Sequence, residues 1–217
     1  MLNFPQSTIF DRRIPKTKFY EKLSVTPRLK RVFVEQITQI RWQNKIAPST
    51  INVAPGATVT EIQVIVIHLN QPKLDQKILA LMDKEIPYHV LFLLEYGDRV
   101  QAWIAYKEEA KTGTFKPGSY YHTEWLAPEE LTLRLKGLTM DALYENLIRQ
   151  IAGEELASAH DTEVSDIRDA VSRDERRRKL QREIAVLEGK VHKEKQFNRQ
   201  VELNGELKKI RKQLEEV

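Results

Sequence analysis

Glu61-Ile-Gln63 opens a run of β-branched and apolar residues, Val64-Ile-Val-Ile-His-Leu69, and gives that run a carboxylate at its start. Restriction-type nucleases use such a carboxylate with a second acid and a lysine to hold a divalent cation against a phosphodiester. Lys107, at the end of Trp103-Ile-Ala-Tyr-Lys107, has the right chemistry for the lysine, and Glu35 and Glu95 for further acids. No Asp…Glu-x-Lys order occurs, so Glu35, Glu61, Glu95 and Lys107 are nuclease candidates set against a simpler reading, strand-end charges facing water. His122-x-Glu124 falls on one side of a strand, yet two ligands do not make a metal site. His68, His89, His122, His160 and His192 show no ligand spacing and read as satisfied surface or edge residues. No Gly-rich phosphate loop or nucleophile elbow is present. Without cysteine the chain has no disulfide, thiolate zinc site or cysteine nucleophile. Neither a metal nor a cofactor is expected.

A second chemistry is phosphate neutralisation. Arg12, Arg13, Lys16, Lys18, Lys22, Arg28, Lys30 and Arg31 crowd the first part of the chain, with Phe19 and Tyr20 between them. Cations bind phosphates and rings stack on bases, which makes these residues a candidate nucleic-acid surface. The alternative is a solvated helix face over core aromatics. Net charge is +4: residues 1–140 hold 19 Lys and Arg against 14 Asp and Glu, and residues 141–217 hold 16 against 17.

The elements that position these residues follow from periodicity. An extended arm over 1–15 and a short helix over 16–23 precede a helix from Thr26-Pro27 to about Asn44, striped by Leu29, Phe33, Ile37 and Ile40. A loop covers 48–60. Strands at 61–69 and 88–96 flank a helix at 73–85, which implies a parallel pair with a crossover. Gly97-Asp98 turns the chain into an antiparallel strand at 99–106. An exposed loop at 111–119, strands at 120–126 and 131–135, and a helix at 139–152 ended by Gly153 complete the domain. The fold class is α/β: a mixed β-sheet with covering helices, followed by a C-terminal helical tail.

Residues 1–153 read as the α/β domain, 154–173 as a polar, partly helical connector, and 174–217 as the tail. In the tail Leu180, Ile184, Leu187 and Val191 form one heptad seam, and Leu203, Leu207, Ile210 and Leu214 a second, out of register with the first. Lys193-Glu-Lys-Gln-Phe-Asn-Arg-Gln200 separates them. The tail is either one long coiled-coil helix with a shifted seam or a helical hairpin broken near 196–198. Segments this short are marginal alone, so the seams must meet a partner: another helix of this chain, a second copy, or another protein.

Arg13-Ile-Pro-Lys16, Phe19-Tyr-Glu-Lys22, Lys30-Arg-Val-Phe-Val-Glu-Gln-Ile37, Trp103-Ile-Ala-Tyr-Lys107, Tyr144-Glu-Asn-Leu-Ile-Arg-Gln-Ile151 and Lys195-Gln-Phe-Asn-Arg-Gln-Val-Glu-Leu-Asn204 resemble bacterial domain-of-unknown-function family 4391 over nearly the whole chain. That resemblance implies an association with helicases and DNA methyltransferases in restriction-like phage-defence loci, and assigns no catalytic residue.

The expected function is a non-catalytic accessory or assembly subunit of a DNA-processing, anti-phage system. Its partner, held by the C-terminal helices, is a helicase, a DNA methyltransferase or a second copy, with DNA as a further contact. A divalent-metal nuclease and a stand-alone nucleic-acid-binding module are the alternatives. The start of the chain lacks a signal-peptide pattern and the longest apolar run, Val90-Leu-Phe-Leu-Leu94, is too short for a bilayer, so a cytoplasmic protein without membrane contact is expected.

Overall fold

The computed structural model describes residues 2, 4–20, 26–109, 115–156 and 166–217. The chain divides into two compact units, Met1–Gly153 and Glu154–Val217. The first is built on a six-stranded sheet of β1 (Ile9–Ile14), β2 (Ile37–Ile46), β3 (Ile62–Leu69), β4 (His89–Tyr96), β5 (Arg99–Glu109) and β6 (Phe115–His122), ordered in space as in sequence. Its helices are α1 (Thr17–Tyr20), α2 (Pro27–Gln36), α3 (Gln76–Glu85) and α4 (Met140–Ala152). β3 and β4 run parallel, joined through α3, and every other neighbouring pair is antiparallel. The expected mixed sheet and its crossover are thus present.

β3 and β4 are central, which explains their unbroken apolar runs: a strand covered on both faces has no polar side. Ile65, Ile67, Phe92 and Leu94 on one face pack with Phe33 of α2 and with Ile78, Leu79 and Met82 of α3. α2 starts as its sequence dictates, with Leu29 N–H donating to Thr26 Oγ1 at 3.3 Å and Pro27 in the first turn.

The long helix expected to reach Asn44 stops at Gln36, and the chain continues as β2. A β-bulge explains the misreading. Ile37 pairs with Leu69 and Ile40 with Ile67, and the register slips between Ile37 and Gln39. The extra residue puts two inward side chains three apart, which imitates helical spacing. The expected extended arm instead holds a 3-10 turn at Gln6–Thr8, and its Ile9–Ile14 part pairs with β2 as the edge strand β1. The expected loop at 111–119 becomes strand from Phe115, while 111–114 lie outside the described residues. Pro117 in β6 fits a sheet edge, where its missing N–H is not needed.

No strand forms at 131–135. Leu131 and Leu133 are buried in alternation, as read, but their backbone finds a side chain instead of a ladder. Arg134 N–H donates to Gln150 Oε1 at 2.9 Å, and Gln150 Nε2 donates to the Arg134 carbonyl at 2.8 Å. One α4 amide thus imitates a neighbouring strand.

The loop before β3 is fastened by Asp141 in the first turn of α4. Its carboxylate accepts from the N–H groups of Ala57 (2.5 Å), Thr58 (3.1 Å) and Val59 (2.7 Å) and from the Thr58 hydroxyl (2.8 Å). Gly56 makes room, because a Cβ there would lie 2.6 Å from Asp141 Oδ1. Burial raises the Asp141 carboxyl, but these hydrogen bonds outweigh it and hold it below the usual range. A depressed folded pKa gives stability above the unfolded value that is lost as pH falls through the folded one. Asp141→Ala is expected to lose about 1–3 kcal/mol at neutral pH, from donors left unpaired. The penalty should shrink in acid, as urea denaturation at pH 7 and at low pH will show; an equal penalty at both would refute the assignment.

In the second unit α5 (Ile167–Lys193) and α6 (Phe197–Glu215) form an antiparallel hairpin. Helix begins at Ile167, inside the stretch read as connector, capped by Asp166, whose Oδ1 accepts from Arg168 N–H at 2.9 Å. Leu187, Leu203 and Leu207 are buried together, flanked by Ile184, Val191 and Ile210. The two seams are each other's partner, which is why their registers need not agree along the sequence. The turn carries its own caps: Glu194 Oε1 accepts from Lys195 and Gln196 N–H at 2.8 and 2.9 Å, and Gln200 Nε2 donates to the Glu194 carbonyl at 2.7 Å.

Candidate functional site

Glu61 sits just ahead of β3, beside β2. Lys45 Nζ lies 2.8 Å from its Oε1, and Gln63 Nε2 donates to its Oε2 at 2.9 Å. Gln63 is 1% exposed, and its Oε1 is buried without a hydrogen-bond partner. The carboxylate is therefore engaged on both oxygens by its own sheet.

Lys107 is placed for structure. It points from β5 onto α3, where Nζ lies 2.7 Å from Asp83 Oδ1, with both side chains 1% exposed. It also donates to the Tyr88 carbonyl at 2.5 Å, and Tyr120 donates its hydroxyl to Asp83 Oδ2 at 2.8 Å. Burial pushes the Asp83 carboxyl up, against the pull of Lys107 and Tyr120. Burial and Asp83 together push the Tyr120 phenol up. His89, edge-on to Tyr144 with ring centres 4.5 Å apart, is driven down to about 3, first by burial and then by Lys107. It is neutral at any physiological pH. Sequence reasoning missed Asp83 entirely, because a lone acid on a helix carries no signal of what faces it.

Glu95 lies elsewhere. Ile62 stands opposite His89, and His68 opposite Glu95. Six rungs at 3.3 Å put Glu95 about 20 Å from the Glu61 end of the sheet. There it pairs with His68, Nδ1 to Oε2 at 2.9 Å. Glu35 is exposed on α2. The four nuclease candidates are not brought together, and among the described residues no group of three His, Asp or Glu could hold a metal. β6 ends at His122, two residues before Glu124. The His122 ring rests on Trp103 at 4.2 Å, with Nδ1 3.3 Å from Gln101 Nε2. His160 lies outside the described residues.

The basic candidates also divide. Lys16 Nζ donates to the Ile37 carbonyl at 2.7 Å and so caps the end of α2. Phe19 is 6% exposed and packs on Phe33, so it is core and not a base-stacking ring. Arg12 lies over Phe10, 4.6 Å from its centre, and Phe10 in turn meets Trp42 at 4.2 Å. Opposite Trp42 and Arg41 respectively, Arg12 and Arg13 point to opposite sheet faces. Lys18, Arg28, Lys30 and Arg31 are exposed on α1 and α2, and Lys22 lies outside the described residues. The seam residues Ile184, Leu187, Val191, Leu203, Leu207 and Ile210 face one another inside the hairpin. Leu180 is buried and Leu214 half-buried.

These features describe a mixed-sheet α/β domain joined to a basic helical hairpin, with no assembled set of catalytic groups among the residues singled out. The chain belongs to the family described as Domain of unknown function (DUF4391), whose model matches residues 2–214. No curated protein and no solved structure matches it. No helix among the described residues is long and apolar enough to cross a membrane.

Proposed function

We propose that the protein is a non-catalytic accessory or assembly subunit of a cytoplasmic DNA-processing system, of the restriction-like, anti-phage kind implied by the family resemblance. It grips a protein partner through the α5–α6 hairpin and touches DNA through the cations of β1, α1 and α2. The observation that carries this reading is the use of Lys107: the one lysine suited to a nuclease site is sealed against Asp83 under α3. The full chain is expected to leave plasmid, single-stranded DNA and RNA intact in Mg²⁺ or Mn²⁺. Its DNA affinity should fall with salt at a log–log slope of about −3 to −5, since each neutralised phosphate adds about −0.9. Arg28→Ala with Arg31→Ala should make that slope shallower by about 2. A salt-independent affinity would remove DNA from the proposal.

The metal-dependent nuclease keeps one observation in its favour, the orphaned Gln63 Oε1 beside the Lys45–Glu61 pair. Metal-dependent cleavage lost in Glu61→Gln, with the fold intact, would overturn the non-catalytic reading.

A further inference from the structure

Helix boundaries redistribute the charge of the tail. From 167 to 215 there are 15 Lys and Arg against 9 Asp and Glu, a net of +6. The acids that balance them lie upstream, where residues 141–166 hold 1 Arg and 7 Asp and Glu. Within the hairpin Arg177 and Arg178 pair with Asp174 at 2.7 and 2.8 Å, Arg199 with Glu202 at 2.5 Å, and Arg211 with Glu188 at 2.7 Å. Lys179, Arg182 and Lys190 have no acidic partner among the described residues. Their spacing puts all three on one face of α5. They rim an open groove of about 640 Å³ between α5 and α6, with Glu183 as the single acid in its lining. Its apolar floor is Val186, Leu187 and Ile210, and Val186 stands 58% exposed.

We propose that this groove docks an acidic amphipathic helix from a partner protein. The partner's apolar stripe would sit on Val186, Leu187 and Ile210, and its carboxylates over Lys179, Arg182 and Lys190. Groove recognition of this kind reads apolar anchors at helical spacing and flanking charge. The span from Lys179 to Lys190 is eleven residues, about 16 Å, which matches three helical turns. A second copy is disfavoured, because it would bring another net +6 hairpin against the first. Nucleic acid is disfavoured by the floor, which is aliphatic and offers no ring for a base.

The inference rests on the accessory-subunit reading and names the partner's chemistry. The test uses the full chain and a fluorescent helical peptide of about 18 residues, long enough to hold a helix, with Leu at helical spacing flanked by Glu. A control peptide carries Lys for every Glu. The acidic peptide should bind in the micromolar range, and the Lys peptide about tenfold or more weakly. Val186→Asp, and separately Arg182→Glu with Lys190→Glu, should each weaken the acidic peptide about tenfold, with the helical circular dichroism unchanged. Equal affinity for both peptides, or no binding of the acidic one, overturns the proposal. So does a dimer in light scattering that Val186→Asp dissociates. Oligo(dT) binding abolished by the charge reversal, with peptide binding intact, assigns the rim to nucleic acid and also overturns it. Nuclease activity would sink the accessory reading and leave the peptide result standing; peptide failure would leave the cleavage result standing.

Discussion

Lys107→Met is expected to destabilise the α/β domain by about 3–5 kcal/mol, the usual cost of stranding one member of a buried ion pair. Asp83 would keep a carboxylate at 1% side-chain exposure with Tyr120 as its remaining donor in place of a cation. The protein must then bury that charge unpaired or protonate it. The double variant Asp83→Asn with Lys107→Met should recover much of the loss, because the asparagine oxygen still accepts from Tyr120 and no charge is left behind. Trp42, Trp103 and Trp125 are the chain's three tryptophans and all lie in the first unit. Urea titration followed by their fluorescence therefore reads this domain and not the hairpin. A single variant as stable as the parent would show that Lys107 is not held as described. Loss of any nuclease activity in a Lys107 variant would report unfolding, which is why Glu61 is the informative position for that question.

Leu207→Asp is expected to open the hairpin. It puts a carboxylate between Leu187 and Leu203, which are 8% and 6% exposed. Truncating a buried leucine costs about 2–5 kcal/mol before any charge is considered. α6 has 19 residues and a mixed polar surface, and helices of roughly this length are marginal without packing. Circular dichroism at 222 nm should fall while tryptophan fluorescence and its urea midpoint stay put. Unchanged helicity would mean that the seam is not what holds α6.

Much of the fold was legible because periodicity survives wherever an element is regular. The runs of β3 and β4, the Thr26-Pro27 start of α2, the Gly97 turn and the Gly153 stop are all local signals, and all are realised. The failures fall where distant residues decide. A bulge made Ile37 and Ile40 look helical, and the Gln150 amide replaced a strand beside Arg134. The site was less legible still. Lys107 looked like a catalytic lysine because its strand ended in charge, and nothing in the sequence announces that Asp83 waits across from it. The two tail seams were found, but residue spacing within each could not say that they face each other. Over 141–217 the basic character of the hairpin is cancelled by the acids that sit before α5 begins.

The strict strand order carries a consequence for biosynthesis. Each strand from β2 to β6 finds a partner in the strand made just before it. Contacts close in sequence form early and cost little loop entropy. A chain emerging from the ribosome can lay down this sheet row by row, with the α3 crossover between β3 and β4 as its one parallel join. The newest strand is an open edge at every stage, β6 included, so a chain cut short within the sheet exposes a pairing edge. The helical hairpin, which follows the sheet in the sequence, needs none of it for its own seam.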